Sequence, residues 1–81
     1  MDRAMANNVT ISVNGDTMEV PSGTTVAALL QLLDVESAQI AVELDGNVAR
    51  RERWREIAIT PGATLEIVRF VGGGETFSPY R

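Results

Sequence analysis

The sequence has no cysteine, no histidine and no lysine in its 81 residues. Without cysteine there is no disulfide, no thiolate nucleophile and no sulfur-ligated metal. Without histidine the commonest general base and metal ligand is gone. Without lysine no Schiff base can form. Surplus positive charge is missing too: seven arginines face 11 acidic residues, a net charge of -4. Binding a phosphate backbone needs clustered excess cations, so no nucleic-acid partner is expected. The longest apolar run is Val26-Ala27-Ala28-Leu29-Leu30, far short of the ~20 residues of a membrane span, so no membrane partner is expected either. The first eight residues lack the apolar stretch of a signal peptide, and the expected location is cytoplasmic. Asp34 and Glu36 have no companions at ligand spacing, so no metal is expected there. These exclusions describe a chain that is acted upon by others.

What is present is one small domain. A chain of 8.7 kDa buries roughly 60% of its unfolded surface, enough for a single core. Residues 1–8 read as a loose N-terminal segment. Val9, Ile11 and Val13 alternate with Thr10 and Ser12, the period of a half-buried strand. Asn14-Gly15 suits a tight hairpin turn. Met18 and Val20 continue the alternation until Pro21-Ser22-Gly23 stops it. Thr25 reads as an N-cap, and Val26, Leu29, Leu30 and Leu33 fall on one face of a helix. Ile40, Val42 and Leu44 alternate up to a turn at Asp45-Gly46-Asn47. Arg50 to Arg55 suits one helical turn, with Trp54 as a core plug. Ile57 and Ile59 predict a short strand before Pro61-Gly62. Leu65, Ile67, Arg69 and Val71 line one side of a last strand; Glu66, Val68 and Phe70 line the other. The core expected from these stripes is Val9, Ile11, Val13, Met18, Val20, Val26, Leu29, Leu30, Leu33, Val42, Leu44, Leu65 and Ile67. One helix covers only one face of a sheet. The first two strands form a hairpin, and the last strand pairs most economically beside the first. The order predicts an α+β, β-grasp (ubiquitin-like) domain over residues 9–71, followed by a flexible glycine-rich tail with an extension over 72–81.

Three segments carry a family resemblance. Gly23-Thr24-Thr25-Val26-Ala27-Ala28-Leu29-Leu30 resembles the start of the helix in small bacterial sulfur carriers. Leu44-Asp45-Gly46-Asn47-Val48-Ala49-Arg50-Arg51-Glu52-Arg53-Trp54 resembles their N-x-x-V-P-R-x-x-W segment, with Ala49 where the family usually has proline. Leu65-Glu66-Ile67-Val68-Arg69-Phe70-Val71-Gly72-Gly73-Gly74 resembles their last strand and diglycine end. Together these span about residues 9–74 and resemble most the ThiS family of thiamine-biosynthesis sulfur carriers; MoaD-like molybdopterin-synthase small subunits are similar. In that family the diglycine ends the chain, whereas here Glu75-Thr76-Phe77-Ser78-Pro79-Tyr80-Arg81 follows.

The resemblance implies a protein co-substrate and no enzyme. Its reactive group would be the carboxylate of Gly74, reached through Gly72 and Gly73. A carboxylate is a poor electrophile until it becomes a mixed anhydride with AMP, which sulfur then displaces to leave a thiocarboxylate. ATP and magnesium would belong to a ThiF-like adenylating enzyme, so the chain itself would bind no cofactor. A cysteine desulfurase would supply sulfur indirectly, and a ThiG-like thiazole synthase or another acceptor would take it. Because Gly74 carries an amide, residues 75–81 would first be removed by a processing peptidase. Glycine suits the reactive end because it adds no bulk and permits backbone angles closed to other residues. Val68, Phe70 and Val71 lead into the glycines, and the outward register of Val68 and Phe70 suggests a patch for docking partners. Arg50, Arg51, Arg53 and Arg55 around Glu52 and Glu56 read as a solvated turn with internal ion pairs, or as a contact for an acidic partner. Alternative acceptors are molybdopterin, cysteine or a specialised metabolite. A different class of reading is a non-catalytic ubiquitin-like interaction module whose glycines are only a linker.

Overall fold

The computed structural model describes residues 7–36, 39–71 and 76–79, with side chains for all of these except 70–71 and 76–79. Strand β1 (Asn8–Val13) and strand β2 (Asp16–Pro21) pair antiparallel, with Val13 opposite Asp16. The turn between them is therefore two residues long. Asn14 (φ 49°) and Gly15 (φ 88°) both adopt positive φ, the conformation that matches a hairpin turn to the twist of its strands. Ile11, Val13 and Val20 face inward and are buried. Asn8 already belongs to β1, one residue earlier than the alternation of valines suggests.

Helix α1 (Val26–Leu32) starts where Thr25 caps it, the Ala28 N–H donating to Thr25 Oγ1 at 3.1 Å. Two other first-turn amides find partners further along the chain: Val26 N–H donates to the Ile57 carbonyl (3.0 Å) and Ala27 N–H to the Trp54 carbonyl (3.0 Å). Three of the orphan donors of the helix start thus find protein acceptors. Val26, Leu29 and Leu30 are buried against the sheet. Asp34 ends the helical run with a φ of 59°.

Strand β3 (Ile40–Leu44) turns through Asp45-Gly46 into a three-residue strand β4 (Asn47–Ala49), with Leu44 opposite Asn47. A 3₁₀ turn follows over Arg51–Arg53. Strand β5 (Thr64–Val71) is the longest, and strand β6 (Thr76–Pro79) pairs with its far end. The sheet order is β2-β1-β5-β3-β4, with β6 also paired to β5. The β1–β5 pair is parallel and the others antiparallel. The last long strand lies beside the first, as expected.

The structure corrects the sequence reading in four further places. Ile57 and Ile59 do not form a strand; Ala58 makes a single bridge to Thr25. The backbone there serves the helix start, since Ile57 accepts from Val26 and Ile59 N–H donates to Thr24 O (2.9 Å). The short strand is β4, because the Asp45-Gly46 turn needs only two residues and Asn47 is already paired. Nine of the thirteen residues expected in the core from the stripes are buried, and so is Trp54, expected as a core plug; Val9, Met18, Leu33 and Leu44 are only half-buried at the margins, and Ile40, Ala49, Ile59 and Ala63 join the core instead. Finally, Thr76–Pro79 of the expected flexible tail form β6, because the end of β5 offers them an edge to pair with. Residues 1–6 of the loose N-terminal segment, together with 72–75 and 80–81, lie outside the described residues.

Candidate functional site

The candidate site is built on β5. Leu65 and Ile67 are fully buried and hold the strand to the core, while Glu66 on the opposite face is exposed. β1 flanks the start of β5, with Ser12 opposite Thr64 and Val13 opposite Leu65. β3 flanks the other side from Leu44 opposite Leu65 to Ile40 opposite Arg69. Where β1 turns away, the Asn14 side chain takes its place. Asn14 Nδ2 donates to the Ile67 carbonyl (3.1 Å), and Ile67 N–H donates to Asn14 Oδ1 (2.7 Å). One amide side chain thus satisfies both backbone groups of a residue 53 positions away. Sequence reasoning assigned Asn14 only to the turn; the turn motif carries no signal of its long-range partner.

Of the expected site residues, the structure describes Val68 fully and Phe70 and Val71 by backbone. Val68 is half-buried and lies on the sheet face opposite Leu65 and Ile67, as its register predicts. Phe70 and Val71 end β5, and their side chains lie outside the described residues. Gly72, Gly73 and Gly74 also lie outside them. β5 therefore carries Val68, Phe70 and Val71 on one strand, whose last residue immediately precedes Gly72 in the sequence.

The arginine-rich turn pairs internally. Arg50 contacts Glu52 at 3.2 Å and Arg53 contacts Glu56 at 2.8 Å, all four side chains being exposed. The Glu52 carboxyl is held below the usual carboxylate range, first by its own backbone N–H and then by Arg50. Arg51 lies over the Trp54 ring at 4.7 Å and donates to the Ile40 carbonyl (3.3 Å). Trp54 is buried, with Nε1 donating to the Ala49 carbonyl at 2.8 Å; it is the core plug the sequence suggested. An open groove of about 490 Å³ runs between α1 and this turn, lined by Leu30, Gln31, Arg51, Trp54 and Arg55 among others. Val68, the one residue of the expected docking patch with a described side chain, does not line it. Among the described residues no group of three or more acidic side chains could hold a metal ion, and no helix is long and apolar enough to cross a membrane.

A mixed sheet laid on one helix, with a parallel first and last long strand at its centre, defines a β-grasp domain. The chain belongs to the ThiS family, whose model matches residues 6–74. The thiamine biosynthesis protein ThiS from Geobacter metallireducens has a similar solved structure. It superposes with a TM-score of 0.70 at 33% identity, over 82% of this chain and all of that one. Two curated relatives named thiazole synthase, from Paramagnetospirillum magneticum and Magnetococcus marinus, are 37% and 31% identical over 76% and 80% of this chain. The chain spans about a fifth of the length of each of these two. An uncharacterized protein, ycf40 of Porphyra purpurea, is 28% identical over 83% of this chain and 94% of its own length.

Proposed function

We propose that the chain is a sulfur carrier for the thiazole of thiamine. It would hold sulfur as a thiocarboxylate on Gly74 once residues 75–81 have been removed. The observation that carries this reading is the extent of the family match, which runs from residue 6 through β5 and stops at Gly74. The architecture supports it: β5 is paired on both sides and held by two fully buried side chains, a rigid base for a glycine arm.

The chemistry follows from a free Gly74 carboxylate. A carboxylate oxygen attacks the α-phosphorus of ATP on a ThiF-like adenylating enzyme, releasing pyrophosphate and leaving an acyl adenylate. The terminal sulfur of a persulfide made by a cysteine desulfurase then attacks the carbonyl carbon and displaces AMP, giving an acyl disulfide. A thiol reductant cleaves its S–S bond, and the thiocarboxylate left on the carrier passes its sulfur to the acceptor. ATP and magnesium stay with the partner. A chain without cysteine, histidine or lysine contributes the reacting carboxylate and the docking surface, so it is a co-substrate and not a catalyst. Val68, Phe70 and Val71 form the docking patch in this reading. Thiazole is favoured over molybdopterin, cysteine or a specialised metabolite because two relatives carrying a matching segment bear the name thiazole synthase.

The test is intact mass spectrometry of the chain ending at Gly74, incubated with a ThiF-like enzyme, ATP, magnesium, a desulfurase with cysteine, and a thiol reductant. The expected product is heavier by about 16 mass units, one oxygen replaced by sulfur. No mass change with an enzyme that thiocarboxylates its own carrier overturns the reading in favour of the interaction module.

A further inference from the structure

The edge of β5 on the β1 side is filled by three different devices in succession. First come main-chain bonds: Ser12 N–H to Ala63 O (2.9 Å) and Asn14 N–H to Leu65 O (2.9 Å). Then comes the Asn14 side chain, which takes both polar groups of Ile67. The backbone groups of odd-numbered residues therefore face this side. Even-numbered ones face β3, as the bond from Asp45 N–H to Thr64 O (2.7 Å) shows. By strand alternation the next groups on the β1 side belong to Arg69 and Val71. β1 has already turned away at Asn14, so these groups would end in an open edge, ready to accept an extended segment of another chain.

β6 covers that edge. Ser78 lies opposite Arg69 and Thr76 opposite Val71. Val68 and Arg69 are also in register with Ala41 and Ile40 of β3, so β6 lies on the β1 side. Pro79 falls opposite Val68, whose own polar groups face β3, so the missing proline N–H breaks no ladder bond. Because Val71 and Thr76 are partners, the four residues between them connect two paired strands, and Gly72, Gly73 and Gly74 are among those four.

We propose that Thr76–Pro79 act as a self-masking strand. They occupy the β5 edge beside Arg69 and Val71, so that the full chain is a latent carrier. Loss of residues 75–81 frees the Gly74 carboxylate and, in the same event, opens the edge to an extended segment of the adenylating enzyme. The functional meaning rests on the carrier reading of Gly74; the masking does not.

The experiment compares three proteins: the full chain, the chain ending at Gly74, and the full chain carrying Thr76→Pro with Ser78→Pro. The double variant removes the two N–H groups that face Arg69 and Val71 and leaves Gly74 amide-linked. Amide hydrogen exchange by NMR should show Arg69 and Val71 protected about ten-fold or more in the full chain relative to the other two. Val68, bonded toward β3, should be equally slow in all three and reports an intact sheet. Equal exchange at Arg69 and Val71 in all three overturns the masking. In calorimetric titration with a purified ThiF-like enzyme, the double variant should bind about ten-fold more tightly than the full chain, although neither has a free carboxylate. Equal affinity overturns the claim that β6 competes with the partner. Failure of the chain ending at Gly74 to be adenylated would count against the carrier reading, and would leave the exchange difference untouched.

Discussion

Asn14 does two separate things: its backbone makes the hairpin turn and its side chain closes the gap in the β5 edge. Asn14→Gly separates them, since glycine adopts the same positive φ more easily but cannot bond Ile67. The Ile67 N–H and carbonyl, partly buried, would lose both partners. The variant should lose about 1–3 kcal/mol of stability in urea unfolding, with the turn intact. Core leucines behave differently. Leu30 is 4% exposed and packs between α1 and the sheet, so Leu30→Ala leaves a cavity and should cost about 2–5 kcal/mol. Leu32 on the same helix is 60% exposed, and Leu32→Ala should stay within about 0.5 kcal/mol. A large loss at Leu32 with little at Leu30 would mean the helix is rotated from the face described.

At the scale of elements, α1 depends on residues it does not contain. Its first turn is capped by Thr25 and by the carbonyls of Trp54 and Ile57. Thr25→Ala should destabilise by about 1 kcal/mol in thermal or urea unfolding, and Thr25→Ser should restore most of it. The 3₁₀ turn gives a pH prediction with a definite sign. The Glu52 carboxyl is lowered by its own backbone N–H and by Arg50. Its contribution is therefore present above the unfolded carboxylate pKa and is lost as pH falls through the lowered folded value. The side chain is exposed, so Glu52→Gln should leave neutral-pH stability nearly unchanged. NMR titration should find the Glu52 carboxyl titrating below the ordinary glutamate value, and Arg50→Gln should move it upward.

At the scale of the molecule, the carrier reading turns on Gly74, which follows β5 by three residues. In that reading the residues beyond Gly74 decide whether it carries a carboxylate or an amide. The full chain should be inert in ATP–pyrophosphate exchange with a ThiF-like enzyme, because an amide-linked Gly74 has no carboxylate oxygen to attack ATP. The chain ending at Gly74 should support exchange. Exchange by the full chain at the same rate would mean that Gly74 is not the reactive residue.

The sequence by itself determined the features that depend on neighbours along the chain. Period-two stripes placed β1, β2, β3 and β5, and a 3.6-residue stripe placed α1 behind Thr25. Asn14-Gly15 and Asp45-Gly46 marked the turns, and the glycine run with its preceding strand marked the candidate reactive end. These are local: side-chain alternation and backbone angles are set within a few residues. Tertiary structure alone decided the rest. Ile57 and Ile59 alternate like a strand, but the helix start claims the backbone there because its donors lie within reach. Asn14 finds Ile67 only because β1 and β5 lie side by side. Thr76–Pro79 carry no strand pattern and become one because β5 extends past the end of β1. An unpaired backbone edge is satisfied by whatever chain folds beside it, and which chain that is depends on the arrangement of the whole domain.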